Sequence, residues 1–161
     1  MSLAPSALTD LILETFRLNG ELLTAGDSLI GDLGLTSARW QVLGAMDLSS
    51  SALPVAHIAR NMGLSRQAVQ RLVNEMAMQD LVRFMPNPHH QRAKLVLMTA
   101  KGRAVFEAGM DRQRPWADRL ATGLSSEDVG TALRVLHNLR NKLQAQNDLK
   151  PAESDNVEEF A

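Results

Sequence analysis

Leu64-Ser65-Arg66-Gln67-Ala68-Val69-Gln70-Arg71-Leu72-Val73-Asn74-Glu75-Met76 is the stretch whose reading decides the fold. Ala68, Val69, Leu72, Val73 and Met76 recur at helical spacing and mark a buried side. Ser65 stands before them as an N-cap. Arg66, Gln67, Gln70, Arg71 and Asn74 are left for the other side, and each brings hydrogen-bond donors. Just upstream, Pro54-Val55-Ala56-His57-Ile58-Ala59-Arg60-Asn61-Met62-Gly63 writes a shorter helix. Pro54 suits its first position, Val55, Ile58, Ala59 and Met62 give it one apolar face, and Gly63 stops it. Two helices joined by a glycine turn make a helix-turn-helix whose second helix enters a major groove, or an ordinary helical hairpin of the same spacing.

The residues that follow bear on that choice. Leu81–Met85 is a short strand pattern, Pro86-Asn87-Pro88-His89-His90-Gln91-Arg92 a polar turn, and Ala93–Met98 a second strand pattern. Two strands joined by a basic loop directly after a helix-turn-helix make a wing. Arg92 is placed to enter a minor groove, with Lys94 behind it on the phosphate backbone.

These residues resemble the MarR family of bacterial winged-helix transcriptional regulators. The likeness is carried by Leu35-Thr36-Ser37-Ala38-Arg39-Trp40-Gln41-Val42-Leu43, Ile58-Ala59, Leu64 to Val73, the wing, and Leu97-Met98-Thr99-Ala100-Lys101-Gly102. It spans roughly residues 8–147 in architecture, with its specific motifs inside 35–103. One departure stands out. The family's wing usually reads Asp-x-Arg, and here the matching residues are His90-Gln91-Arg92. A carboxylate would brace the guanidinium fork; His90 is either a solvated loop residue or, when protonated, an added phosphate ligand.

Charge follows the same map. Residues 1–50 hold six acids and two bases, residues 51–103 eight bases and two acids, and residues 104–161 ten acids and seven bases. The cations gather where the helix-turn-helix and wing lie, as a polyanion-binding face on an acidic body requires. Cysteine is absent, which excludes a disulfide scaffold, a thiolate nucleophile and a cysteine metal site. No signal-peptide pattern or membrane-length apolar run is read, so a cytoplasmic, non-membrane protein is expected. His57, His89, His90 and His137 form no metal-ligand pattern, and no nucleophile elbow or catalytic couple is present. No catalytic residues, metal or cofactor, and hence no enzyme, are expected.

The ends of the chain read as helices in need of partners. Ser6 can cap a first helix bearing Leu8, Leu11, Ile12, Thr15, Phe16, Leu18, Leu22 and Leu23; Asn19-Gly20 and Ala25-Gly26 could interrupt it, while the family resemblance implies one long helix through much of this stretch. Core packing accounts for Ile12 and Phe16, and the apolar surplus points to a second subunit. Thr99 caps a long helix in which Pro115 marks a kink, and Ser125 restarts the chain with capping-box spacing to Asp128. The last helix presents Val129, Leu133, Leu136, Leu139 and Leu143 at spacings of three and four. Residues 150–161 read as a disordered acidic tail.

The expected fold is therefore mainly α (α+β). One winged helix-turn-helix lobe (about 35–103) is carried on a helical dimerisation body (about 6–33 and 104–147) within a single domain, 1–149. Leu8, Leu11, Ile12, Leu133, Leu136, Leu139 and Leu143 are its candidate dimer contacts. Ser65, Arg66, Gln67, Gln70, Arg71, Arg92 and Lys94 are its candidate DNA contacts. The resemblance implies a homodimeric repressor on a near-palindromic operator. It also implies control by a small aromatic or phenolic effector in a crevice near Phe16, Trp40 and Leu43, although Trp40 is most simply read as plain core. The competing function is a winged-helix interaction or scaffold module without specific DNA binding.

Overall fold

A computed structural model describes residues 5–49, 51–90 and 92–148, and the tail 150–161 lies outside them. The chain divides into two units, Met1–Ala117 and Asp118–Ala161.

The first unit begins with α1 (Pro5–Ile30) and a 3-10 turn (Gly31–Leu33). It continues through α2 (Ser37–Asp47), β1 (Leu53–Pro54), α3 (Val55–Met62) and α4 (Arg66–Met78). Then come β2 (Val82–Met85), β3 (Leu95–Met98) and the larger part of α5 (Ala100–Ala121). The three strands form one antiparallel sheet in the order β1-β3-β2. Val82 faces Met98 and Met85 faces Leu95 in the wing, while Leu53 faces Val96 on the other edge of β3.

The core lies where α2, α3, α4 and the sheet converge. Leu43, Ile58, Val69, Val73, Met76, Val82 and Val96 are fully buried there. α3 and α4 each contribute a single stripe, because apolar residues three and four apart share one face. Gly63, at φ 66°, closes α3 in the left-handed region, and its N–H returns to the Arg60 carbonyl. The Ser65 hydroxyl then accepts the Ala68 N–H at 3.2 Å and starts α4. Thr99 performs the same service for α5 through the Gly102 N–H at 3.0 Å.

Polar ties fix the outer helices of this unit. The Ser37 N–H donates to Asp27 at 2.6 Å and the Ser37 hydroxyl to the Leu23 carbonyl at 2.8 Å, which seats α2 on α1. Arg112 of α5 forks onto Asp32 and reaches the Leu29 carbonyl at 3.1 Å. Arg39 of α2 meets Glu75 at the far end of α4, at 3.2 Å.

Several expectations are corrected. α1 is unbroken through Asn19-Gly20 and Ala25-Gly26, since a glycine inside a long helix costs only about 1 kcal/mol against alanine. The helix starts at Pro5, so Ser6 lies inside it rather than capping it. Pro54 is not the first helical residue. Its ψ of 149° places it in β1 as the cap before Val55, and an edge strand tolerates its missing N–H. Ile12 and Phe16 are exposed on α1 rather than packed in the core.

The second unit contains the end of α5 and α6 (Ser126–Asp148). Ser125 caps α6, and Asp128 closes back on its hydroxyl rather than on its backbone N–H as a full capping box would. The Asp128 N–H donates to the Ser125 hydroxyl at 3.0 Å, and that hydroxyl donates to the Asp128 carboxylate at 2.6 Å. Val129, Leu133, Leu136 and Leu143 are exposed along α6, and Leu139 is half-buried.

Candidate nucleic-acid interface

α4 and the wing face each other across an open cleft of about 600 Å³. Arg66 and Gln70, one turn apart, line it from α4. Arg92, Ala93 and Lys94 line it from the wing, and Pro54 to His57 close it at the start of α3. Phe84 provides an apolar wall. Every charged side chain in the lining is cationic (Arg66, Arg92 and Lys94), and no carboxylate faces it. The wing loop is shaped by Asn87, whose side-chain oxygen accepts the His89 N–H at 3.0 Å and whose carbonyl accepts the His90 N–H at 3.2 Å.

Four of the seven DNA candidates from the sequence are thus brought together: Arg66, Gln70, Arg92 and Lys94. Gln67 and Arg71 do not line the cleft; they lie exposed on α4, one turn apart from each other. Ser65 is exposed, but its hydroxyl is engaged in the cap. Gln70 donates through Nε2 to the Asn74 side-chain oxygen at 3.0 Å. That pairing uses one Gln70 N–H and leaves its side-chain carbonyl as an acceptor. Sequence reading passed over His57, Phe84 and Asn87 as cleft residues. His57 comes from α3 and Phe84 and Asn87 from the wing, two regions separate along the chain, so no local spacing could bring them together.

A second pocket, of about 570 Å³, lies within the first unit among α1, α2 and α5. Leu22, Leu23, Gly26 and Leu29 line it from α1, Trp40, Gln41 and Gly44 from α2, and Phe106, Met110, Gln113 and Trp116 from α5. Its single charged lining residue is Asp47, which is ion-paired with Arg103. Trp40 is a wall of this pocket, and its indole Nε1 is buried without a hydrogen-bond partner, close against Gly109. The sequence placed Phe16 and Leu43 beside it, and neither lines it. Phe16 sits one turn before the first lining residue of α1, Asn19, and is 70% exposed. Leu43 is fully buried within the lobe core. α2 is apolar on two faces, and its periodicity alone does not say which one meets the pocket.

Carboxylates at the α1 junctions are held in their charged form. The Ser37 backbone N–H, then its hydroxyl, keeps the Asp27 carboxyl below the usual range, with burial opposing. Hydrogen bonds from Arg112 do the same for Asp32, again against burial. Among the described residues, no group of three or more histidine and acidic side chains is arranged to hold a metal ion, and no helix is long and apolar enough to cross a membrane.

Residues 33–93 match the family model described as MarR family. The chain is 36% identical over 111 residues to the uncharacterized protein Rv2011c of Mycobacterium tuberculosis, covering 69% of this chain and 76% of that one. It is 30% identical over 118 residues to the transcriptional activatory protein BadR of Rhodopseudomonas palustris, covering 71% and 67%. Among solved structures it is similar to the M. tuberculosis transcriptional regulator MOSR in complex with DNA. That match has a TM-score of 0.70 and 25% identity, and covers 83% of this chain and 96% of that one.

Proposed function

Because this chain belongs to the MarR family, and is a DNA-binding transcriptional regulator rather than an enzyme, we propose that it acts as a homodimeric repressor on a near-palindromic operator. A small, uncharged aromatic effector releases it. The observation that carries the DNA part is the cleft in which α4 meets the wing, lined by cations and by no carboxylate. Arg66, Gln67, Gln70 and Arg71 read or flank base edges from α4, while Arg92 reaches the minor groove from the wing and Lys94 supports it on the backbone. In a dimer the two α4 helices stand about 34–36 Å apart to meet successive major grooves.

The homodimer reading is supported by apolar surface on α1 and α6. Leu11 and Ile12 on α1, with Leu133, Leu136 and Leu143 on α6, are more exposed than a monomer's scattered surface leucines explain. Leu8 and Leu139 are half-buried on the same helices.

The effector reading rests on the pocket beside Trp40. No lysine, arginine or histidine lines it, and its one acid is already paired. A carboxylate ligand would enter without a counter-ion, at a desolvation cost that a neutral ring escapes. Phenols fit, as protonated species, between Trp40 and Trp116. Such a ligand lowers DNA affinity only by binding the DNA-incompetent arrangement more tightly, and DNA then weakens ligand binding by the same factor.

The test is selection of bound duplexes from a random pool, followed by titration at several salt concentrations. One preferred palindrome with a steep log–log salt slope is expected. No duplex affinity above background would instead assign this fold to protein interaction. The effector is tested with pairs of ligands alike but for charge, a benzamide against the matching benzoate, with and without saturating operator. The amide should bind, and bind less tightly when operator is present.

A further inference from the structure

Two rings in the cleft are not among the DNA contacts of α4 and the wing arginine and lysine: His57, which sequence reading did not place there, and His90, which the sequence offers either as a solvated loop residue or as a phosphate ligand. His57, in the first turn of α3, and His90, in the wing, both line it and are both exposed. They arrive from different elements and are fixed differently. His57 rides on a helix. His90 is pinned by its backbone, donating to the Asn87 carbonyl at 3.2 Å and accepting the Ala93 N–H at 3.1 Å. The charged groups facing them are Arg66 from α4 and Arg92 and Lys94 from the wing. On its other side His57 borders a hollow of about 260 Å³, where the charged residue is Arg60. Neither lining contains a carboxylate. A protonated imidazole there has no carboxylate beside it among the lining residues, and a nucleic-acid phosphate is a group that supplies an anion.

We propose that His57 and His90 are DNA-contacting residues that hold backbone phosphates as imidazolium, so that duplex binding takes up protons. This rests on the DNA-binding reading of the cleft. An imidazolium offers two N–H donors and a positive charge where the neutral ring offers one donor. Imidazole changes charge between about pH 5 and 8, and phosphate oxygens favour the charged form. The bound state therefore has the higher proton affinity. The added affinity is present in full at low pH and is lost as pH rises through the bound-state range. A tenfold gain in proton affinity at one ring strengthens binding about sixfold between pH 8 and pH 6, and two rings about fortyfold per protomer. Phosphate contacts carry no sequence information, so a mixed-sequence duplex is a sufficient probe.

The experiment measures the affinity of the full chain for such a duplex at about pH 6 and about pH 8, at fixed ionic strength. It compares the wild type, His57→Gln, His90→Gln, the double variant, and His89→Gln and His137→Gln as controls outside the cleft. The wild type and both controls should bind several-fold more tightly at the lower pH. Each single variant should lose part of that ratio and the double variant nearly all of it, while an unchanged urea midpoint reports an intact fold. At the lower pH the wild-type salt slope should be steeper by up to about 0.9 per protonated ring. A double variant that keeps the wild-type ratio, or a His89→Gln variant that loses it, overturns the proposal. So does a wild type that binds duplex equally at both values, which leaves the DNA reading standing. No duplex binding by the wild type at either pH removes that reading and this proposal together.

Discussion

At the scale of single residues, small differences in position separate structural roles from reading roles. Gly102 illustrates the first. A Cβ there would fall 2.0 Å from the Leu81 carbonyl oxygen, which also accepts the Thr99 N–H and hydroxyl. That oxygen belongs to the backbone just before β2 and cannot turn aside. Gly102→Ala should therefore destabilise the fold by about 3 kcal/mol or more, as strong overpacking does, measured as a fall in urea midpoint at constant m-value. Gln67 and Gln70 illustrate the second. Neither is buried, so alanine at either should leave stability nearly unchanged. At least one should cost about 1–3 kcal/mol of operator binding and relax the preferred base at one position, whereas Lys94→Ala should weaken all duplexes alike. If alanine at both glutamines preserves the selected sequence, their assignment to base edges is wrong.

At the scale of elements, the junctions of α1 with α2 and α5 are tied by carboxylates, and this gives stability a pH dependence of known sign. Asp27 and Asp32 are both held below the ordinary aspartate value of 3.8. A carboxyl with a depressed folded value stabilises the fold fully above its unfolded value, and that contribution is lost as pH falls through the folded value. Acid unfolding monitored from pH 5 downward should begin below about 4. It should be shallower in Asp27→Asn, which keeps the shape but cannot ionise. An unchanged acid profile in that variant would mean that Ser37 gains nothing from the charge. The same junctions explain why α1 runs straight through its glycines. Its last turns are held by Ser37 and Arg112 from other helices, and tertiary contacts of that kind override weak local propensity.

At the scale of the whole molecule, the open question is what covers α1 and α6. We expect a second copy of the chain. Burying a leucine is worth about 1.5–3 kcal/mol, so several such residues on each protomer suffice for an obligate interface. Leu136→Asp should shift the protein toward monomer and weaken palindrome binding, because one half-site gives too little affinity alone. Sedimentation of the wild type as a monomer at micromolar concentration would exclude the dimer. Trp40→Ala belongs to this scale as well. It should blunt an effector's influence on DNA affinity while leaving the selected operator intact, since the pocket and the cleft share no residue.

By itself the sequence determined the local elements whose signals are complete within a few residues. Ser65, Thr99 and Ser125 all act as the caps their positions announce, and Gly63 makes the turn. The apolar stripe of α4 put Arg66, Gln67, Gln70 and Arg71 on an outer face, because helical periodicity is intrinsic to the chain. What lay beyond its reach were the choices that depend on several elements meeting. β1 exists only because Leu53 and Pro54 find β3 some forty residues away. The inward face of α2 decided that Leu43 is core while Trp40 is a pocket wall, two outcomes that the same apolar pattern allows. Only tertiary structure set His57 and His90 into one cleft with the reading helix, because long-range packing, not spacing along the chain, fixes which side chains share a space.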